Sequence, residues 1–253
     1  MTPPICVCNA SPSERLTHVI APNGDRPSRR GMSQSNLAHA LLSALAVQGL
    51  DEGDAFFAEA GVRTSATQNG EAVVTLILSG VLARIGPDGA LSQGLASSDD
   101  VINFDAVLGG GEPESAVWLT AGRFLAVSAR KLAQKIDRDS LVEMTLTDLR
   151  RRNIALQAEL SRHATLKVSQ RLAALLLDVH DRKGGDVLAL RQTELSHLMA
   201  VRRASISTAC TELCSAGAVR LRRGAIQITD ADALRRVTDA AYSTVTDLAR
   251  LRG

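Results

Sequence analysis

Arg202, Arg203, Ser205, Ser207 and Thr208 stand together in the segment VRRASISTA, residues 201–209. Arginine can grip guanine O6 and N7 through two parallel hydrogen bonds, and short hydroxyls reach base edges or phosphates. Upstream, Gln192 and Thr193 suit the holding of a backbone phosphate alongside backbone N–H groups. Downstream, Arg222 and Arg223 place two more cations where they could meet flanking phosphates. This chemistry is recognition of a nucleic-acid duplex. The chain shows no Gly-x-Ser-x-Gly elbow, no Walker loop, no recognisable carboxylate pair and no His/Cys metal signature, so an enzyme is not expected.

Helical periodicity supplies the elements that would carry these residues. Thr193–Met199 reads as a short helix with Leu195 and Leu198 facing inward. Ala200-Val201-Arg202 is a turn, where a small alanine would let two helices approach. Arg203–Ala216 is a second helix with Ile206, Ala209, Cys210 and Leu213 on its core face, and Gly217 stops it. Strands Val219–Leu221 and Ala225–Ile228 flank Arg222-Arg223-Gly224 as a basic wing. A helix of this kind fits the major groove with its N-terminal residues at base edges. A preceding helix, about Leu166–Asp181, buries Leu172, Leu175, Leu176 and Val179 and ends at Gly184-Gly185, before an apolar strand at Val187–Leu190. The alternative is a ligand-binding or scaffold protein whose winged helix contacts protein, or an ordinary helical core. Core packing does not account for four outward arginines.

Charge separates along the chain. Residues 149–253 hold 18 Lys and Arg against 10 Asp and Glu, whereas residues 1–148 hold 11 against 17. The basic half is suited to a polyanion. Aromatics make up only 2% of the chain, which disfavours stacking of unpaired bases as the recognition mode and leaves double-stranded DNA as the expected partner. No apolar run reaches the ~20 residues of a membrane span, and the first residues lack the basic start and apolar stretch of a signal peptide. The expected location is the cytoplasm, with four cysteines suiting a reduced compartment.

The expected fold class is α+β, in four parts. Residues 1–32, with five of the seven prolines, read as a disordered tail, and Met32 is an alternative start. Residues 33–136 open with a helical stripe (Leu37, Leu41, Leu42, Leu45). They continue as short strands at Ala72–Leu78, Val81–Ile85, Val117–Leu119 and Phe124–Val127, punctuated by turns. This is the pattern of an antiparallel β-roll. Residues 137–164 form a long helix, with Ser140 and Glu143 as a capping box. Its heptad seam has Leu146, Asn153 and Leu160 at a and Val142, Leu149 and Leu156 at d, which suits a parallel two-stranded coiled coil registered by a buried asparagine pair. Arg150, Arg151 and Arg152 read as a solvated face beside the seam. Residues 165–253 form the winged helix-turn-helix, closed by a helix over about Asp232–Leu251.

The β-roll, the long helix, SQRLAALLLDVHDR (169–182), VRRASISTA and the basic wing together resemble the Crp/Fnr superfamily of bacterial transcription regulators. The resemblance spans about 35–250 and is densest from Gln170 to Ile228. It implies a cyclic-nucleotide-binding-like sensor, a homodimer about the long helix, inverted-repeat operators in DNA and RNA polymerase as a candidate further partner. By matching position, Arg203 stands at the family's principal guanine-reading arginine, while Ala204 replaces an acidic base reader and Thr208 a basic or polar contact. The family's half-site therefore does not carry over.

Members that bind cyclic AMP use a glutamate for the ribose hydroxyl and an arginine followed by serine or threonine for the phosphate. The segment DDVINFDAVLGGGEPESAVW (99–118) puts Phe104 at the glutamate and Glu114 at the arginine, and keeps only Ser115. A carboxylate repels a phosphate, so cyclic AMP is not the expected effector at this pocket. Gly109–Gly111 could form an anion nest, but Glu112 and Glu114 favour a plain surface turn. Cys6-x-Cys8 lies in the tail, and Cys210 and Cys214 read as helix core, so no metal or iron–sulfur cluster is expected. The sequence names neither an effector nor the direction of regulation.

Overall fold

A computed structural model describes residues 41, 55–86, 92–98, 100–109, 114–183 and 186–239. These belong to one compact unit, residues 36–253. The tail, most of the first helical stripe, the Pro87-Asp88-Gly89 and Gly184-Gly185 turns, and the end of the last helix lie outside the described residues. Of the two terminal elements, Leu41 and residues 231–239 are helical.

Strands β1 (Phe56–Ala58), β2 (Thr67–Gln68), β3 (Glu71–Ser79), β4 (Val81–Ile85), β5 (Ser92–Ser97), β6 (Val101–Ile102), β7 (Ser115–Trp118) and β8 (Gly122–Ser128) build the roll. One sheet runs β1-β8-β3-β2 with β6 also on β3, and the other runs β5-β4-β7; the pairings are antiparallel. Asn69 and Gly70 both take positive φ (52° and 81°), the geometry that a tight β2–β3 hairpin requires. Apolar alternation turns Val74, Leu76, Leu125 and Val127 onto Phe104, Leu132 and Leu141. Trp118 closes the other side against Phe124, with ring centroids 5.7 Å apart. A Cβ on Gly122 would collide with that indole and the Ser79 carbonyl, so this corner requires glycine.

The Val81–Ile85 strand forms with the bounds its sequence predicts, and Ala72–Leu78 and Phe124–Val127 lie within β3 and β8. The Val117–Leu119 strand is instead β7 and ends at Trp118. Strand β5, with the sequence SQGLAS, has no β-branched residue to announce it; pairing with β4 and burial of Leu95 and Ala96 make it a strand.

Helix α1 (Ala129–Lys135) leads into the long helix α2 (Arg138–Thr165). The α2 cap is Asp137, whose carboxylate accepts the Ser140 N–H at 2.9 Å, and not Ser140 itself. An acidic side chain already satisfies that donor, so the helix starts earlier. Leu141, Thr145 and Asp148 are buried against the roll. On the other side Val142, Leu146, Leu149 and Leu160 are 37%, 62%, 41% and 54% exposed, with Asn153 exposed and Leu156 half-buried between them. Arg150 and Arg151 are exposed as the sequence predicts, and Arg152 departs from that reading. Arg151 pairs with Asp100 at 2.5 Å and Arg152 approaches Glu114 at 3.5 Å. Helical rotation turns Arg152 onto the acidic edge of the roll, whereas Arg151 reaches Asp100 with its side chain still 43% exposed.

Helix α3 (Val168–Lys183), strand β9 (Val187–Leu188), helices α4 (Gln192–Leu198) and α5 (Arg203–Ser215), and strands β10 (Val219–Arg222) and β11 (Ala225–Ile228) complete the described architecture before the 231–239 helix. Leu172, Leu176, Val179, Leu195, Leu198, Ile206, Cys210 and Leu213 form their core, which continues into Val81, Ala83, Leu95 and Leu119 of the roll. Each fully buried aliphatic side chain contributes about 1.5–3 kcal/mol relative to exposure. The inward faces read from periodicity are the buried ones.

Candidate nucleic-acid interface

Three helices and a three-stranded sheet of order β10-β11-β9 hold the basic residues. Helix α4 leads to Ala200, whose φ of 50° is left-handed and whose side chain is exposed. The chain turns at this residue, and its exposed side chain does not sit between the two helices. The Val201 N–H donates to Ser196 O at 3.0 Å, and the Ser205 N–H to Arg202 O at 2.9 Å, so the turn passes directly into α5. Ile206, Ala209, Cys210 and Leu213 hold the buried side of α5. This leaves Arg202, Arg203, Ser207 and Thr208 exposed and Ser205 half-buried. The Thr208 hydroxyl donates to Ala204 O at 3.1 Å, leaving its oxygen free to accept. Gly217, at φ 71°, stops the helix, and Thr229 Oγ1 donates to Gly217 O at 2.7 Å to tie the sheet to that end.

The wing forms as a β10–β11 hairpin, with Arg222 facing Ala225 in register and Arg223-Gly224 at its tip. Between it and the start of α5 lies an open cleft of about 640 Å³, lined by Arg191, Gln192, Thr193, Arg203, Arg222 and Arg223. Arg202, which caps α5, and Ser205, Ser207 and Thr208 along it lie outside this lining. Four guanidinium groups on one cleft make a strongly anion-attracting surface. Arg191 was missed in the sequence. It sits one residue before α4, and its N–H donates to Glu194 Oε2 at 2.6 Å. A basic residue at the mouth of a phosphate-suited helix start was the available signal.

The residues matched to an effector pocket are placed differently. Phe104 is wholly buried in the roll core. Glu114 is buried: it pairs with Arg84 and accepts the Asn103 N–H at 2.7 Å. Ser115 begins β7 and is half-buried. The sequence could not show that a carboxylate between Pro113 and Ser115 finds an arginine thirty positions upstream. Among the described residues no cluster of His, Cys, Asp or Glu is arranged to hold a metal ion, and no helix is long and apolar enough to cross a membrane. Cys210 is buried, and burial pushes its thiol up to about 11.

Residues 170–237 match the family of Crp-like helix-turn-helix domains. Curated protein sequences give no match. Solved structures do. Two transcriptional regulators from Thermus thermophilus, one of the CRP/FNR family and one of the CRP family, superpose with TM-scores of 0.57 and 0.58, at 19% and 17% identity. The first covers 74% of this chain and 99% of its own length, the second 73% and 97%. The c-di-GMP responsive global regulator CLP of Xanthomonas campestris superposes at 0.54 with 16% identity, over 70% of this chain and 93% of its own. The chain thus has the fold of the Crp/Fnr superfamily regulators, with a Crp-like helix-turn-helix domain at residues 170–237.

Proposed function

We propose that the chain is a homodimeric, sequence-specific DNA-binding transcription regulator of the Crp/Fnr type that reads inverted-repeat operators. The observation that carries this reading is the exposed start of α5 beside a cleft with Arg191, Arg203, Arg222 and Arg223 on its walls. Arg203 reads base edges in the major groove, with Ser205, Ser207 and Thr208 alongside, while Arg191, Gln192, Thr193, Arg202, Arg222 and Arg223 hold phosphates. Dimerisation follows from the apolar stripe on α2, which leaves Leu146 and Leu160 more than half exposed in the single chain. A twofold pair of α5 helices matches a twofold operator.

Selection of bound duplexes from a randomised DNA pool tests the reading, with an inverted repeat as the expected outcome. Arg203→Ala should then lose about 1–3 kcal/mol of discrimination at one base position while keeping its non-specific binding. Unchanged discrimination in that variant, or retention of no duplex at low salt, overturns it.

A further inference from the structure

A cavity of about 140 Å³ lies between the roll and α4. Its floor is apolar. Ile85, Leu119, Leu190 and Leu198 are buried there, and Val117 is half-buried beside them. The rim carries Arg63 and His197, both exposed, and the half-buried Glu194. Arg63 follows β1, and its backbone bridges to Val117 of β7. The Glu194 carboxylate is held in one orientation, because its Oε2 accepts the Arg191 N–H at 2.6 Å. Its Oε1 lies toward Gly61 of the roll, where an added Cβ would stand 3.4 Å from that oxygen. Gly61 donates its own N–H to Trp118 O at 2.7 Å, which fixes the roll side of the opening.

An apolar floor with a few convergent polar groups is the usual form of a small-molecule site. A void of about 150 Å³ accepts a guest the size of benzene, so roughly four to six apolar carbons fill this floor. The rim sets the polarity of the guest. Arg63 and His197 offer donors to a carboxylate, and Glu194 offers an acceptor to an ammonium group. A nucleotide is too large for the floor, and its phosphate would meet Glu194. We propose that this cavity binds an aliphatic α-amino acid of leucine's size, with the side chain on the floor and both charged groups at the rim. Glu194, His197 and Leu198 share α4 with Gln192 and Thr193, so the guest acts as an effector of duplex binding. The effector role rests on the DNA-binding reading above; the site itself does not.

The experiment is calorimetric titration of the dialysed full-length chain with L-leucine, 3-methylbutan-1-amine and 4-methylpentanoate. The last two keep the side chain and carry only one of the two charges. Leucine should bind with a Kd of about 1 mM or tighter, and each single-charge analogue about tenfold more weakly or worse. Glu194→Gln keeps an acceptor for the Arg191 N–H and should weaken leucine by about tenfold. Val117→Phe fills the floor and should abolish binding. No binding of leucine, equal binding of all three compounds, or unchanged affinity in Glu194→Gln overturns the site. Anisotropy with the selected operator then tests the effector role, with a shift of about fivefold or more expected at saturating leucine. Unchanged operator affinity with leucine bound overturns that role. If no duplex binds, the DNA reading fails, and the titrations still decide the site.

Discussion

Arg171 of α3 donates to the backbone carbonyl of Met199, 2.6 Å away, and so pins the turn between α4 and α5 to the helix beneath it. The same guanidinium lies 3.1 Å from His163 Nε2 near the end of α2. One side chain therefore links the long helix to the turn that orients the exposed arginines. Its loss leaves a carbonyl short of its donor. Arg171→Ala should destabilise the chain by about 1–3 kcal/mol, read as a lower urea midpoint at constant slope. An unchanged midpoint would remove Arg171 from this role.

His163 responds to the same contact. Burial, and then the neighbouring Arg171 charge, lower its pKa from the usual histidine value. The neutral ring is the folded-state form, so its contribution to stability is present above the unfolded pKa of 6.5 and is lost as pH falls through it. NMR titration should place His163 below an ordinary histidine, and Arg171→Gln should move it partly back up. A midpoint insensitive to that substitution would leave burial as the sole cause.

Asp148 is buried on the roll-facing side of α2, and its pKa is raised from 3.8 to about 6. Burial is the main cause, with Glu114 adding repulsion, and Arg84, Arg152 and Arg151 oppose the shift. The folded state holds this proton more tightly than the unfolded chain, so stability from Asp148 is highest in acid and falls as pH rises from about 4 to 6. The full penalty above that window is on the order of 3 kcal/mol. Asp148→Asn should gain stability relative to wild type as pH rises across the window, in paired chemical-denaturation curves. A pH-independent difference between the two proteins would refute the assignment.

Arg222 and Arg223 at the wing are assigned to phosphates, which carry no base identity. Replacing either with alanine should weaken all duplexes about equally. The dependence of log affinity on log salt should become shallower by roughly one unit per contact. A loss confined to one DNA sequence would instead make the wing a base reader.

Leu149 tests the α2 seam. A lysine there puts two cations face to face in a dimer while touching little in the single chain, where Leu149 is already exposed. Sedimentation equilibrium should show the dimer weakened by about 3 kcal/mol, roughly a hundredfold, with the monomer's helical content intact. Association unaffected by Leu149→Lys would move the interface elsewhere.

Local pattern alone determined the inward faces and stops of the winged helix-turn-helix. The inward leucines of α3 and α4, the core face of α5, the stop at Gly217 and the Ala225–Ile228 strand all follow from spacing and turn residues, which act over a few positions along the chain. The exposed seam of α2 was legible for the same reason. Its opposite stripe was not, because Thr145, Asp148 and Arg152 look like surface residues until a partner sheet is present. Tertiary structure decided that Glu114 meets Arg84, that Arg152 turns to the roll, and that SQGLAS becomes a strand. These depend on pairings between distant segments, where burial makes a charge costly unless its partner is there, and only the folded chain brings those partners within reach.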